Sequence, residues 1–181
     1  MATTRTRSTA EERREQVLAA AVSEFAARGL EAATTSDIAK RAGISQAYVF
    51  RLFANKQELF LAVLDRCFDR IERRFRDAVA EVPADDPAAR LEAMGNAYGE
   101  LLVDRELLLL QLQGYAAAGD EQVRVPLREH FLGLWALVGR LSGADGTTLQ
   151  AFFAHGMLMN VAAALDFADI CSDKGWPAAQ Q

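Results

Sequence analysis

Three side chains able to make directed hydrogen bonds stand close together: the amide of Gln46, the hydroxyl of Tyr48 and the guanidinium of Arg51. Thr34, Thr35 and Ser45 precede them and Lys56 follows. An amide both donates and accepts, so Gln46 can pair with adenine N6/N7 or another base edge. This set suits recognition of a surface of donors and acceptors better than bond-breaking. Residue types that would support catalysis are poorly placed elsewhere. His130 and His155, the two histidines, do not stand in a His-x-x-x-His or Glu-x-x-His arrangement, so a metal site is not expected. The chain has no Gly-rich phosphate loop and no Gly-x-Ser-x-Gly elbow. Asp85 and Asp86 fall in a linker, where solvent and helix capping explain them. No catalytic residue, metal or cofactor is therefore assigned, and the chain is not read as an enzyme.

The elements that must position these groups are helices. Only 4 prolines interrupt 181 residues, 51% of residues are hydrophobic, and runs of β-branched residues with period-2 alternation are lacking. The fold class expected is all-α. A first helix is predicted over about residues 9–28, with Ser8/Glu11 and Thr9/Glu12 as overlapping capping boxes and Gly29 as its stop. Thr35 is the expected N-cap of a short second helix that Gly43 ends. Ser45 caps a third over about 46–52, and Asn55 with Glu58 opens a long fourth. Ile38, Ala39, Ala42, Ile44, Val49, Phe50 and Phe53 are the expected small core of this helix pair. Gln46, Ala47, Tyr48 and Arg51 are then left outward. A short helix braced from behind in this way fits the major groove of DNA.

Charge supports that reading. The chain carries a net −5, yet residues 1–56 hold nine Lys/Arg against six Asp/Glu. A basic end on an acidic body lets one face meet phosphates while the rest is repelled.

The stretch Thr34-Thr35-x-x-Ile38-Ala39-x-x-Ala42-Gly43-Ile44-Ser45, then Val49-Phe50-Arg51-x-Phe53-x-x-Lys56-x-x-Leu59, resembles the tetracycline-repressor (TetR) family of regulators. The resemblance is specific over roughly residues 10–65. It implies a helix-turn-helix DNA-binding domain over 1–54, with a short arm over 1–8, and a helical effector-binding and dimerisation domain over 55–181. The DNA-facing set it implies is Thr35, Ser36, Ser45, Gln46, Ala47, Tyr48, Arg51 and Lys56. Thr35 and Lys56 would touch phosphates; Gln46, Ala47 and Tyr48 would read base edges. Two positions depart from the family pattern, because Phe50 and Leu52 stand where phosphate-binding tyrosine or histidine is usual. Tyr48 replaces the usual Thr or Ser, and can compensate by reaching a phosphate or packing on a thymine methyl. Arg5 and Arg7 in the arm are candidates for a minor-groove contact.

Further helices are predicted at about 87–103, 105–117, 121–142 and 147–170, with caps at Asp86, Asp104 and Asp120 and a possible kink at Pro126. The resemblance implies a ligand cavity among them, for which Met94, Tyr98, Gln111, Tyr115 and Trp135 are the candidates. The last helix is apolar nearly all round. Gln150, His155, Asn160 and Asp166 interrupt it, which argues for a protein partner rather than lipid. The candidate dimer contacts are Leu134, Leu141, Phe152, Gly156, Asn160 and Ala164, of which the last three fall four apart as a low ridge. Cys67 and Cys171 form no disulfide framework, and the N-terminus has no apolar signal core, so the chain reads as cytoplasmic. The function expected is a repressor that, as a homodimer, releases a roughly palindromic double-stranded operator when a small molecule binds. The alternative is an all-helical small-molecule-binding protein or enzyme with a degenerate head, which the missing hydroxyls at Phe50 and Leu52 favour.

Overall fold

The computed structural model describes residues 9–167, and the arm with Arg5 and Arg7, together with Cys171, lies outside them. Eight α-helices and one 3-10 turn make up the described residues, with no strand among them. They are α1 (Ala10–Ala32), α2 (Thr35–Ala42), α3 (Gln46–Leu52), α4 (Lys56–Ala78), α5 (Pro87–Leu101), α6 (Arg105–Ala116), α7 (Glu121–Ser142) and α8 (Gly146–Ala164).

Most starts are where short polar side chains satisfy the free N–H groups of a first turn. Thr9 and Glu12 form the reciprocal capping box of α1. Asp86, Asp104, Asp120 and Asp145 cap α5 to α8, and Pro87 takes the first position of α5. Asn55 accepts from the Glu58 N–H, but Glu58 reaches back to the Ala54 N–H rather than that of its cap. Helix α7 runs through Pro126 without a break, since the proline falls early and removes only one backbone bond.

Three boundaries differ from the sequence reading. Thr34, not Thr35, caps α2: its Oγ1 accepts from the Asp37 N–H at 3.1 Å. Gly29 does break α1, with φ 70° and ψ 179°, but one further helical turn follows to Ala32. Helix α8 ends at Ala164, earlier than expected, because Asp166 turns left-handed and the Phe167 N–H closes onto the Ala162 carbonyl.

One apolar cluster runs from Val17 to Leu149. Helix α4 is its axis, burying Leu59, Val63, Cys67, Ile71, Phe75 and, just past its end, Val79. Helix α1 lies against α2 and α4 on one side and most extensively against α6 on the other. Phe25 of α1 meets Phe60 of α4 edge-on at 5.0 Å. The three N-terminal helices are therefore held on the same axis that supports α5 to α8.

Candidate functional site

Helix α3 has seven residues, too short to persist unless braced. Val49 and Phe53, four apart, turn inward and are almost wholly buried with Ile38 and Ala39 of α2. Gly43, left-handed at φ 67°, turns the chain between the two helices, and the Ile44 N–H closes onto the Ala39 carbonyl at 3.0 Å. Ser45 caps α3 by accepting from the Tyr48 N–H.

The outward face is then Gln46, Ala47, Phe50 and Arg51, all exposed. Phe50, expected in the core, is 47% exposed. The reason is helical geometry: Val49 and Phe53 already occupy the inner arc, and Phe50 falls one turn beyond Gln46 and Ala47. Tyr48 is half-buried at the edge of this face, with the Arg51 guanidinium 5.9 Å from its ring centroid.

Thr35 does not present a free hydroxyl to solvent. The residue is 7% exposed, and its Oγ1 accepts from Gln46 Nε2 at 2.8 Å. That contact uses one amide N–H of Gln46 and leaves the carbonyl oxygen and the second N–H. Ser36 and Ser45 are exposed. Lys56 is also engaged within the chain: its Nζ donates to the Glu31 and Ala33 carbonyls at 3.0 and 3.1 Å. Those oxygens lie at the end of α1, where helix carbonyls lack partners and the dipole favours a cation. One of three ammonium N–H groups remains.

Glu24, which sequence patterning did not single out, is 5% exposed inside α1. Its carboxylate lies 3.1 Å from Arg28 Nε and 3.9 Å from Arg41. A nearly buried carboxylate between two guanidiniums ties α1 to the end of α2. No periodicity signal marks it, because one acid on an apolar face looks like an interruption.

In the body, a cavity of about 50 Å³ opens between α4, α5, α6, α7 and α8. Tyr98, Gln111 and Tyr115 line it, as expected. Met94 does not: it is fully buried in the core beside the cavity. Trp135 stands behind the lining, stacked on Phe153 at 4.7 Å. Four residues expected at a subunit interface, Leu134, Phe152, Gly156 and Asn160, instead face this cavity. Leu134 is 6% and Asn160 1% exposed, so neither is available to a partner. The Gly156–Asn160 ridge packs inward because the small residue at 156 admits the Tyr98 ring, 3.8 Å from where a Cβ would stand. Leu141 and Ala164 are half-buried against the core.

The cavity's polar end is a three-residue chain. The Tyr98 hydroxyl lies 2.8 Å from Asn160 Oδ1 and 3.1 Å from Gln111 Oε1. One hydroxyl has one proton, so it donates to one amide oxygen and can only accept from the other amide, turned to present its NH2. Burial pushes the ionisation of Tyr98 far up and that of Tyr115 up to about 12, so both stay neutral phenols. Gln111 Nε2 is buried with no hydrogen-bond partner. Such an orphan costs about 1–3 kcal/mol.

Residues 17–63 match the family model described as bacterial regulatory proteins, tetR family. The head is thus similar to that of TetR-family regulators. The transcriptional activator FasR of Mycolicibacterium smegmatis is 38% identical over 92 residues, covering 51% of this chain and 41% of that protein. The transcriptional repressor KstR2 of Mycobacterium tuberculosis is 37% identical over 82 residues, covering 45% and 40%. The chain thus spans less than half the length of these curated relatives. The structure of FadR from Bacillus subtilis in complex with stearoyl-CoA superposes with a TM-score of 0.67 at 19% identity, over 88% of this chain and 97% of that one. That likeness carries the fold of the whole TetR-type body, which sequence identity does not reach.

Among the described residues no group of His, Cys, Asp and Glu could hold a metal ion, and no helix is long and apolar enough to cross a membrane. Cys67 is buried, and desolvation raises its thiol to about 12, which makes it a core residue without nucleophilic character.

Proposed function

We propose that this chain is a DNA-binding transcriptional regulator that works as a homodimer in the cytoplasm and, as a repressor, releases its operator when a small molecule enters the α4–α8 cavity. The observation that carries this reading is α3, a seven-residue helix that is stable only because it is braced, and that projects Gln46, Ala47, Phe50 and Arg51. The division into a head over 1–54 and a body over 55–181 follows from it.

Gln46 reads a base edge through its free oxygen and second N–H. Thr35 acts through Gln46, holding the amide in one orientation. Ala47 and the exposed Phe50 offer an apolar patch for thymine methyl groups. Phe50 therefore takes part in readout even though it lacks the family's hydroxyl. Arg51, Ser36, Ser45 and the remaining N–H of Lys56 are positioned for phosphates, with Tyr48 at the rim.

The partner surface lies on the outer face of the last two helices. Leu132 and Ala136 of α7 and Ala151, Ala154 and Val161 of α8 are exposed there. A two-fold pairing across it would set two recognition helices about 34–36 Å apart, or a multiple of that, matching a roughly palindromic site. A coupling of about 1–3 kcal/mol between cavity and head suffices to change occupancy several-fold to a hundredfold.

The test is equilibrium binding to the chain's own upstream DNA across a range of salt. Log Kobs should fall linearly with log salt, since each phosphate neutralised contributes a slope of about −0.9. Affinity independent of salt would contradict the reading. The alternative of a non-DNA-binding helical protein predicts no specific shift at any salt.

A further inference from the structure

The cavity joins two features that together restrict its ligand. Among the described residues its lining contains no Lys, Arg, Asp or Glu: it is built of Phe68, Phe75, Phe131, Phe152 and Phe153 around the polar end. His155, which also lines it, is exposed. A carboxylate or ammonium entering this space would lose its hydration with no counter-charge to meet.

The polar end has one unmet demand. Tyr98 satisfies one atom of the Gln111 amide, and the other, Nε2, is buried without a partner. With the amide oxygen facing the Tyr98 hydroxyl, the bare atom is a donor. With the amide turned, so that Nε2 donates to the Tyr98 oxygen, the bare atom is an acceptor. A ligand hydroxyl answers both cases, because it donates and accepts. A carbonyl or an ether answers only one.

We propose that the cavity takes an uncharged aromatic molecule carrying a hydroxyl, which it holds through the Gln111 amide at one end and the phenylalanine cluster around the ring. This rests on reading the cavity as the effector site. The space, about 50 Å³ as it stands, is smaller than such a ring, so Met157 and Met159, unbranched side chains at the lining, must move aside to admit it.

The experiment is calorimetric titration of the full chain, without DNA, with phenol, toluene and benzoate. Toluene serves as the ring without the hydroxyl, and benzoate as the ring with a charge. Phenol should bind, and benzoate should bind at least about tenfold more weakly. In Gln111→Met, which keeps length and volume, the ratio of phenol to toluene affinity should fall about fivefold, while toluene itself binds at least as well. A thermal melt of the variant confirms that it folds. The proposal is overturned if phenol does not bind, if benzoate binds as tightly as phenol, or if the ratio is unchanged in Gln111→Met. The salt-series DNA titration repeated with phenol present separates the two readings: unchanged operator affinity with phenol bound would leave the ligand class standing and sink the regulatory role of the cavity.

Discussion

Thr35→Val tests whether a buried hydroxyl works on DNA directly or through its neighbour. In the structure Thr35 Oγ1 accepts from Gln46 Nε2 at 2.8 Å and the residue is 7% exposed. Valine keeps the shape and removes that acceptor. A neutral hydrogen bond of this kind is worth about 0.5–1.5 kcal/mol net, so operator affinity should drop about two- to thirteenfold. Gln46→Ala removes the reading amide itself and should cost about 1–3 kcal/mol. If Thr35 acts only by orienting Gln46, the double variant is no weaker than Gln46→Ala alone, and the cycle returns a coupling of about 1 kcal/mol. Neither change removes a cation, so the dependence on salt should keep its slope. The assay is fluorescence anisotropy with labelled upstream DNA at several salt concentrations, with a thermal melt of each variant as a fold control. Additive losses, within about 0.3–0.5 kcal/mol, would refute the reasoning and return Thr35 to an independent contact.

Gly29→Ala places a side chain where φ is 70° and ψ 179°, and its Cβ would stand 2.5 Å from Gln113 Oε1. The backbone conformation alone should cost about 1–3 kcal/mol, and a melt should show a fall of several degrees that Gln113→Ala does not rescue. Lys56→Met uncovers the Glu31 and Ala33 carbonyls and should lower stability by about 1–2 kcal/mol. If its third N–H also meets a phosphate, the salt slope falls by about 0.9 per protomer, and an unchanged slope assigns Lys56 to structure alone. His130 Nε2 lies 2.6 Å from Asp65 Oδ1, and this hydrogen bond raises its pKa above the ordinary 6.5 despite partial burial. The folded form then binds the proton more tightly than the unfolded chain, so the pair stabilises below about pH 6.5 and the gain is lost as pH rises through the folded value. Both groups are partly exposed, so the effect is at most about 1 kcal/mol. Melting temperature against pH, compared with Asp65→Asn, should show it, and identical profiles would dismiss it.

The helix-turn-helix was readable because its signals are local. A cap, a left-handed glycine and apolar residues three or four apart act within a few residues, and α3 begins and ends where those signals place it. The body's helices were readable for the same reason, down to aspartate caps at Asp86, Asp104 and Asp120. Errors at Thr34/Thr35 are of a different kind. Two adjacent threonines offer equivalent hydroxyls, and only the packing of α2 on α3 decides which one caps and which one is buried.

The face of each helix that is buried depends on neighbours far along the chain. Phe50 looks like core by type, yet Val49 and Phe53 had already filled the inner arc. Gly156 and Asn160 look like a ridge for a partner helix, yet Tyr98, 62 residues from Asn160, draws that side inward with a hydrogen bond. The ring of Trp135 and the side chain of Met94 were similarly assigned by type and displaced by geometry. What the linear order of residues determined was where helices start, stop and carry charge, because capping, propensity and glycine conformations are short-range effects. What only the tertiary arrangement decided was which polar atoms meet, which stay unpaired, and which apolar faces stay exposed, because those depend on packing between segments that the chain brings together from a distance.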